Sequence, residues 1–282
     1  MKDKTSFTRA LRPFSLIVAI ATCGLGVSLA LIEGHHNLLL SALVMLTGLL
    51  LQIAVNLIND YRDLKNRNFT APQRNAIQRN TSIGRMVMGI AILLGLYMVS
   101  VRGWPLFVLG LVGVLGAWGY TGGEINFKSR GLGVLLVFFL MGILLIGGAY
   151  YTVSGLYHIN IFWLSLPFSL LSSLLLLSNE LRDYEEDLAA GIKTLSVRLG
   201  YQVGVKLYYW IVAMAYFISA ILFQAEILTS FILIPITLIV LWQPIKLLQA
   251  PKAQRVLLTP LTGRFYFFFS LAFLTSIWLP LI

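Results

Sequence analysis

Residues 38–63 read LLLSALVMLTGLLLQIAVNLINDYRD, an apolar run that ends in a cluster of polar side chains. The window 38–58 has the length of about 20 apolar residues that an α-helix needs to cross a bilayer. Its downstream end carries Asn and Asp side chains, which are costly at membrane depth and indicate a function there. The stretch therefore predicts a transmembrane helix whose polar end lies at one face of the membrane.

Eight further windows of this kind occur along the chain, near 13–32, 84–101, 105–121, 132–153, 160–178, 205–223, 227–248 and 265–281. Of the 282 residues, 58% are hydrophobic and only 11% are charged. Ordinary soluble domains carry about 25% charged residues, so the composition excludes that class. We predict an all-α, polytopic membrane protein with about nine transmembrane helices, forming a single domain over residues 1–282.

The basic residues predict the orientation of these helices. If the N-terminus is cytoplasmic, every one of the 21 Lys and Arg residues except Arg102 falls in a cytoplasmic segment. Positive residues concentrate on the cytoplasmic side of membrane proteins, so we predict a multi-pass protein of the cell (inner) membrane with that orientation. The net charge of +10 then reflects topology, and no nucleic-acid partner is expected.

Two helix ends on the same predicted side carry matching polar motifs. Near the end of the second helix, the spacing i, i+3, i+4, i+7 places four side chains on one face, namely Asn56, Asn59, Asp60 and Asp63. Near the end of the sixth helix, the spacing i, i+4, i+8 aligns Asn179, Asp183 and Asp187. Each motif alone is compatible with a solvated helix end, but two at equivalent membrane depth favour a site.

The chemistry of these side chains indicates a metal-bound phosphate. Clustered carboxylates repel one another unless cations lie between them. Carboxylate and amide oxygens suit Mg²⁺, whose remaining positions substrate phosphates commonly fill. Nearby basic residues are available for further phosphate charge, namely Arg62, Lys65, Arg79, Arg182, Lys193 and Arg198. The sequence therefore predicts a lipid phosphate or diphosphate as substrate, bound at the cytoplasmic ends of the helices.

Four stretches carry a family resemblance. They are 50–63 (LLQIAVNLINDYRD), 179–200 (NELRDYEEDLAAGIKTLSVRLG), the pair Arg12-Pro13, and the middle loop with YTGG at 120–123 and RGLG at 130–133. In these residues the chain resembles the UbiA superfamily of intramembrane prenyltransferases. Within it, the chain is most similar to the menaquinone-branch enzymes that prenylate 1,4-dihydroxy-2-naphthoate. The resemblance spans residues 9 to about 205, and the last three helices match only as hydrophobic spans.

The resemblance implies nine helices around a central cavity and a Mg²⁺-dependent prenyl transfer. The substrates it implies are a polyprenyl diphosphate and an aromatic acceptor such as 1,4-dihydroxy-2-naphthoate, and the bilayer surrounds the protein. The implied catalytic residues are Asp63, Asp183, Asp187 and Lys193. The implied metal ligands are Asp60, Asp63, Asn179, Asp183 and Asp187. The residues implied to bind diphosphate or acceptor are Asn56, Asn59, Arg62, Lys65, Arg79, Tyr120, Arg182 and Arg198.

The chain departs from the family pattern at two places. A further Asp normally follows the first motif by four to six residues, where this chain has Arg67, Asn68 and Phe69. The middle loop normally has Pro and Glu where this chain has Glu124 and Val134. The first departure implies a weaker metal site, and the second leaves the aromatic acceptor open.

Three alternatives remain at this point. The acceptor of the prenyl group can be another aromatic compound or lipid, which only an assay distinguishes. The missing third Asp is also compatible with a catalytically impaired homologue that binds or regulates. A transporter for an anionic solute is disfavoured, since transport sites usually lie near the bilayer midplane whereas the charges here gather at one face.

Overall fold

The computed structural model describes residues 6–61, 64, 69–121 and 126–279. Over these ranges the regular structure is helical throughout, and no strand forms. In chain order the helices are α1 (Phe7–Ala10), α2 (Pro13–Ile32), α3 (Leu38–Asn59), α4 (Ala71–Arg102), α5 (Trp104–Thr121), α6 (Gly133–Ser154), α7 (Ile159–Arg182), α8 (Tyr184–Ala189), α9 (Leu195–Leu199), α10 (Tyr201–Gln224), α11 (Leu238–Leu248) and α12 (Leu258–Trp278). The all-α class predicted from the sequence is confirmed.

Seven of the helical segments in the described ranges are long and apolar enough to cross a membrane. Two shorter apolar helices, Trp104–Tyr120 and Pro235–Leu248, correspond to the windows 105–121 and 227–248. The predicted count of nine spans is therefore not confirmed. The window 227–248 is shortened because Glu226 adopts a positive φ of 59° and the chain resumes a helix only at Pro235.

The helix α4 is longer than its predicted window of 84–101. It begins at Ala71, where Thr70 and Gln73 form a reciprocal capping box and a proline occupies the first turn. A capping box satisfies backbone N–H groups that would otherwise lack partners, and proline suits the start of a helix. The polar residues 71–83 therefore form a helical extension of the span.

The helix that carries the second polar motif lies at the centre of the molecule. In α7, 72% of the apolar window is buried inside the protein, against 17% in α4. α7 packs against α2, α6, α10 and α12, while α4 packs mainly against α3. The motif at the end of α7 is therefore built on the most enclosed helix of the described chain.

Close packing between α2 and α6 depends on a small residue. A Cβ atom added to Gly26 would lie 2.5 Å from the Ile146 carbonyl oxygen and 2.7 Å from the Ala149 Cβ. Small residues let helix backbones approach in this way in membrane proteins. This contact fixes α2, whose first residues reach the polar motifs.

The end of the helices opposite the motifs is held by the few charged residues found there. The Arg102 guanidinium donates from Nε to the Thr152 carbonyl at 2.7 Å and from Nη2 to the Val153 carbonyl. It thereby satisfies carbonyl groups in the last turn of α6. The Tyr150 hydroxyl donates to the Glu33 carboxylate. Arg102 and Glu33 therefore have a structural role on this side of the molecule.

Candidate functional site

The first motif lies at the C-terminal end of α3. Asn59 is the last helical residue and Asp60 caps the helix. The Asp60 carboxylate accepts a hydrogen bond from Arg12 Nη2 at 2.6 Å. The side-chain carbonyl Oδ1 of Asn59 is buried and has no hydrogen-bond partner among the described residues. A buried oxygen of this kind is uncommon and is available to a ligand.

Asn56 holds the first helices together. It is 3% exposed, and its amide nitrogen donates to the Leu11 carbonyl at 2.8 Å and to Ser15 Oγ at 2.7 Å. Its Oδ1 accepts from Gln52 Nε2 at 3.3 Å. The structure therefore places Asn56 beside the segment 11–15, one turn deeper than Asp60.

The second motif lies where α7 gives way to α8. Asp183 joins the two helices with φ −95° and ψ 10°, so they do not form one regular helix. The hydrogen bonds nevertheless continue in steps of four residues, from Asp183 N to Asn179 O at 3.1 Å and from Asp187 N to Asp183 O at 2.9 Å. The three predicted ligands therefore stand on successive turns, and Asp187 is 5% exposed.

Arg182 binds the acidic group beside it. Its Nε and Nη2 donate to the two carboxylate oxygens of Asp183 at 2.9 and 2.7 Å, and Nη2 also donates to Asn179 Oδ1. A bidentate pair of this kind is among the stronger charged hydrogen bonds. The sequence predicted Arg182 as a substrate-binding residue, and the structure places it directly on the second motif.

Arg12 connects the two motifs. It pairs with Asp60 and interacts electrostatically with Asp183 and with Tyr120. Its backbone adopts the left-handed region, with φ 47° and ψ 66°, which is uncommon for a residue other than glycine. The Arg12 guanidinium therefore contacts the first motif directly and lies close enough to Asp183 and Tyr120 for their charges to act on it. Arg12 was quoted in the resemblance but was not predicted as a site residue.

A buried carboxylate that the sequence analysis missed lies beside Tyr120. Glu180 is 2% exposed, and its Oε2 accepts from the Ser196 backbone N–H at 3.1 Å. Its Oε1 has no hydrogen-bond partner among the described residues. Tyr120 interacts electrostatically with Glu180, Arg12 and Asp187. A carboxylate just after the apolar sixth window, one residue past Asn179, was the signal that could have identified it.

The remaining predicted basic residues take different positions. Arg198 donates from Nε to the Lys193 carbonyl at 3.1 Å and from Nη2 to the Ser129 carbonyl at 3.2 Å. It thereby joins the middle loop to the loop that follows the second motif. Lys193 and Arg79 are exposed, and Arg79 lies on the polar first part of α4. Arg62, Asp63 and Lys65 lie outside the described residues, as do Arg67, Asn68 and Glu124.

The donor set fits Mg²⁺ in its chemistry. In the described part of the chain, no three His, Cys, Asp or Glu side chains gather as a metal cluster. Asp60 and Asp183 instead each face an arginine, and the orphaned Asn59 oxygen lies in the same motif as Asp60. Mg²⁺ is usually held by one or two carboxylates together with phosphate oxygens, so few protein ligands are needed.

The fold and the site define a class of protein: an all-α integral membrane protein with paired Asn/Asp motifs at its helix ends. The family described as the UbiA prenyltransferase family matches residues 17–278. The chain belongs to this family and is a prenyltransferase, which argues against the transporter hypothesis.

Several curated relatives are about 30% identical to this chain over the aligned residues. A 1,4-dihydroxy-2-naphthoate octaprenyltransferase of Bacillus subtilis is 32% identical over 72% of this chain and 71% of its own length. A 1,4-dihydroxy-2-naphthoate octaprenyltransferase of Escherichia coli is 30% identical over 87% of this chain and 82% of its own length. The predicted similarity to the menaquinone-branch enzymes is confirmed.

Solved structures show the same fold. A UbiA homolog from Archaeoglobus fulgidus bound to GPP and Mg²⁺ matches with a TM-score of 0.63 and 16% identity, covering 95% of this chain and 99% of that one. The same homolog bound to DMAPP and Mg²⁺ matches with a TM-score of 0.65. At this identity the likeness establishes the arrangement of helices.

Proposed function

We propose that this chain transfers a polyprenyl group from a polyprenyl diphosphate to 1,4-dihydroxy-2-naphthoate, in a Mg²⁺-dependent reaction at the cytoplasmic face of the membrane. The observation that carries the proposal is that an arginine is paired with an aspartate at each of the two motifs, Arg12 with Asp60 at 2.6 Å and Arg182 with Asp183 at 2.7 Å. The names of the curated relatives support the acceptor, and the A. fulgidus homolog bound to GPP and Mg²⁺ supports the metal.

The two motifs would divide the metal-binding task. We propose that Asp60 and Asp63, together with Asn56 and Asn59, form the first set of oxygen donors. Asn179, Asp183 and Asp187 form the second set. Mg²⁺ bound to these oxygens would neutralise the negative charge that develops on the departing diphosphate.

The arginines at the motifs would bind the diphosphate itself. Arg12 and Arg182 already contact the carboxylates Asp60 and Asp183, so their charges are fixed at the place where the diphosphate must lie. A guanidinium also forms bidentate hydrogen bonds with phosphate oxygens. The predicted contacts of Arg62, Lys65, Arg79, Lys193 and Arg198 with the diphosphate would extend this positive surface into the cytoplasmic loops.

In the proposed transfer, the allylic C–O bond of the prenyl diphosphate breaks and the diphosphate leaves with the electron pair. An electron-rich carbon of the aromatic ring then forms the new C–C bond. With a dihydroxynaphthoate acceptor, the ring carbon that gains the prenyl group loses its carboxyl group as CO₂, and the electrons of that bond return to the ring. The apolar walls formed by the helices would exclude water from the cationic prenyl group.

The decisive test is an assay of the purified protein with farnesyl diphosphate and longer prenyl diphosphates. 1,4-Dihydroxy-2-naphthoate and a hydroxybenzoate are offered as competing acceptors, with and without Mg²⁺. We expect prenylated naphthoquinol and CO₂ only when Mg²⁺ is present, and little product from the hydroxybenzoate. Preferential prenylation of the hydroxybenzoate would refute the acceptor, and transfer of equal rate in the presence of EDTA would refute the metal.

A further inference from the structure

A buried arginine from the last part of the chain reaches the second motif. Arg255 lies in the turn between α11 and α12 and is 4% exposed. Burying a guanidinium is costly unless hydrogen bonds and opposite charge compensate it, so its partners reveal its role. This part of the chain lies beyond the residues that resemble the family motifs.

The partners of Arg255 lie on both sides of Asp183. Its Nη1 donates to the Leu181 carbonyl at 3.0 Å, in the last turn of α7. Its Nη2 donates to the Glu185 carboxylate, in the first turn of α8. One guanidinium therefore joins the residue two positions before Asp183 to the residue two positions after it.

An aromatic residue holds this guanidinium in place. The Arg255 guanidinium carbon lies 4.5 Å from the centre of the Tyr201 ring, within the range of a cation–π contact. The Tyr201 hydroxyl donates to the Leu248 carbonyl at 2.7 Å, and its ring meets the Tyr184 ring edge-on at 5.5 Å between ring centres. We call Arg255, Glu185 and Tyr201 the clasp.

The clasp acts at the point where the regular helix is interrupted. At Asp183, where α7 meets α8, the backbone leaves regular α-helical geometry, although hydrogen bonds from Asp183 N to Asn179 O and from Asp187 N to Asp183 O still cross the junction. Asp183 lies at this junction, and Asp187 lies on α8. The bonds from Arg255 to Leu181 and Glu185 add a side-chain connection across the same junction.

We propose that Arg255 is a positioning residue for the second metal-binding motif: it bridges the α7–α8 junction and sets the geometry of Asp183 and Asp187. This inference rests on the proposed function, because it assigns those two carboxylates to Mg²⁺. Replacing a residue that orients a metal ligand without contacting the metal itself typically changes metal affinity or activity by about 10- to 100-fold.

The test compares Arg255→Met, Arg255→Lys and the control Lys252→Met in the full-length protein. Lys252 lies in the same turn and forms only a 3.8 Å ion pair with Glu186, with half of its side chain exposed. Amide hydrogen exchange is measured first, since it needs no catalytic activity. In Arg255→Met we expect the amides of residues 183–192 to exchange about tenfold faster, while those of α2 and α6 are unchanged.

The second measurement is the Mg²⁺ concentration that gives half the maximal transfer rate. We expect an increase of about tenfold in Arg255→Met, a smaller one in Arg255→Lys, and less than twofold in Lys252→Met. If Arg255→Met does not fold, Glu185→Gln supplies the same two measurements, because it keeps the shape of the partner and removes its charge.

Three results would overturn the proposal. Unchanged exchange in residues 183–192 would show that the clasp does not hold the junction. Exchange that rises equally throughout the protein would show a general structural role. Faster local exchange with a wild-type Mg²⁺ requirement would show that the carboxylates are not positioned by it. If the wild type transfers no prenyl group at all, the proposed function fails, and the exchange measurement still decides the role of Arg255 at the junction.

Discussion

Asp183 and Asp187 differ in their surroundings although they belong to one motif. Asp183 is bound by Arg182 at the junction of two helices, while Asp187 is almost completely buried on the short α8. A solvated helix end would leave such carboxylates exposed. The burial of Asp187 and the pairing of Asp183 with Arg182, at the end of the central helix, favour the proposed role of both as ligands.

We expect Asp183→Ala and Asp187→Ala each to reduce prenyl transfer by about 100-fold or more, because a phosphate-bound Mg²⁺ loses a ligand. Both proteins should still be recovered from the membrane in folded form. The measurement is the transfer rate at saturating Mg²⁺, with Glu226→Gln, an exposed carboxylate far from the motifs in sequence, as the control. A near-normal rate in either variant would contradict the metal assignment.

The missing third acidic residue of the first motif gives a second test at this scale. Position 69 is Phe in this chain. We expect Phe69→Asp to lower the Mg²⁺ concentration for half-maximal rate, because the family pattern has a further Asp in this part of the first motif. The measurement is a Mg²⁺ titration of the transfer rate, with Phe69→Asn as the uncharged control.

If the Phe69→Asp protein is active and its Mg²⁺ concentration for half-maximal rate equals that of the wild type, the assignment of the first metal to this motif is wrong. Transfer that appears only in Phe69→Asp, with none in the wild type, would identify the chain as an impaired homologue. The two outcomes are distinguished by the activity of the wild type.

At the scale of helices, the contact of α2 with α6 positions the site from within the membrane. α2 begins next to Arg12 and Asn56, so a shift of this helix moves the residues that join the motifs. The close approach at Gly26 leaves no space for a side chain. Gly24 lies about half a helical turn away on the same helix, and a Cβ added there would have no neighbouring atom within 4 Å. The two glycines form a matched pair for testing this contact.

We expect Gly26→Ala to destabilise the protein by about 1–3 kcal/mol, because the added methyl group overlaps the backbone of α6. Gly24→Ala should change stability by no more than about 1 kcal/mol, since it only alters helix propensity. Thermal unfolding of the two purified variants in detergent compares them. Equal melting temperatures would show that α2 and α6 do not pack as closely as the structure indicates.

At the scale of the whole molecule, charge is separated between the two ends of the helices. The polar motifs, the clasp and the basic residues of the loops lie at one end. The other end has Arg102 and Glu33, each bound to a neighbouring helix. The asymmetry follows the positive-inside rule and supports a cytoplasmic N-terminus and a cytoplasmic site.

Single cysteines at positions 74 and 36 test this orientation. The one native cysteine, Cys23, is buried, so it should not react with a membrane-impermeant reagent. We expect Arg74→Cys to be labelled only from the cytoplasmic side and His36→Cys only from the opposite side. Labelling of Arg74→Cys in intact cells by the impermeant reagent would reverse the proposed topology.

The sequence by itself determined the membrane class, the helical architecture and the two Asn/Asp motifs. These features are local: an apolar run of about 20 residues and a spacing of three or four residues both act within one helix. For the same reason the windows at 13–32 and 38–58 agree closely with Pro13–Ile32 and Leu38–Asn59. The spacing of Asn179, Asp183 and Asp187 likewise placed these residues on successive turns.

Only the tertiary structure decided how the motifs are joined and held. Arg12 meets Asp60 across 48 positions, Arg255 meets Glu185 across 70, and Ser196 contacts Glu180 across 16. Each of these polar contacts depends on which helices pack together, and helix packing in a membrane follows from surface shape and small residues that hydropathy does not encode. A buried charge must find its partner wherever the fold brings one, and its position in the sequence does not identify that partner.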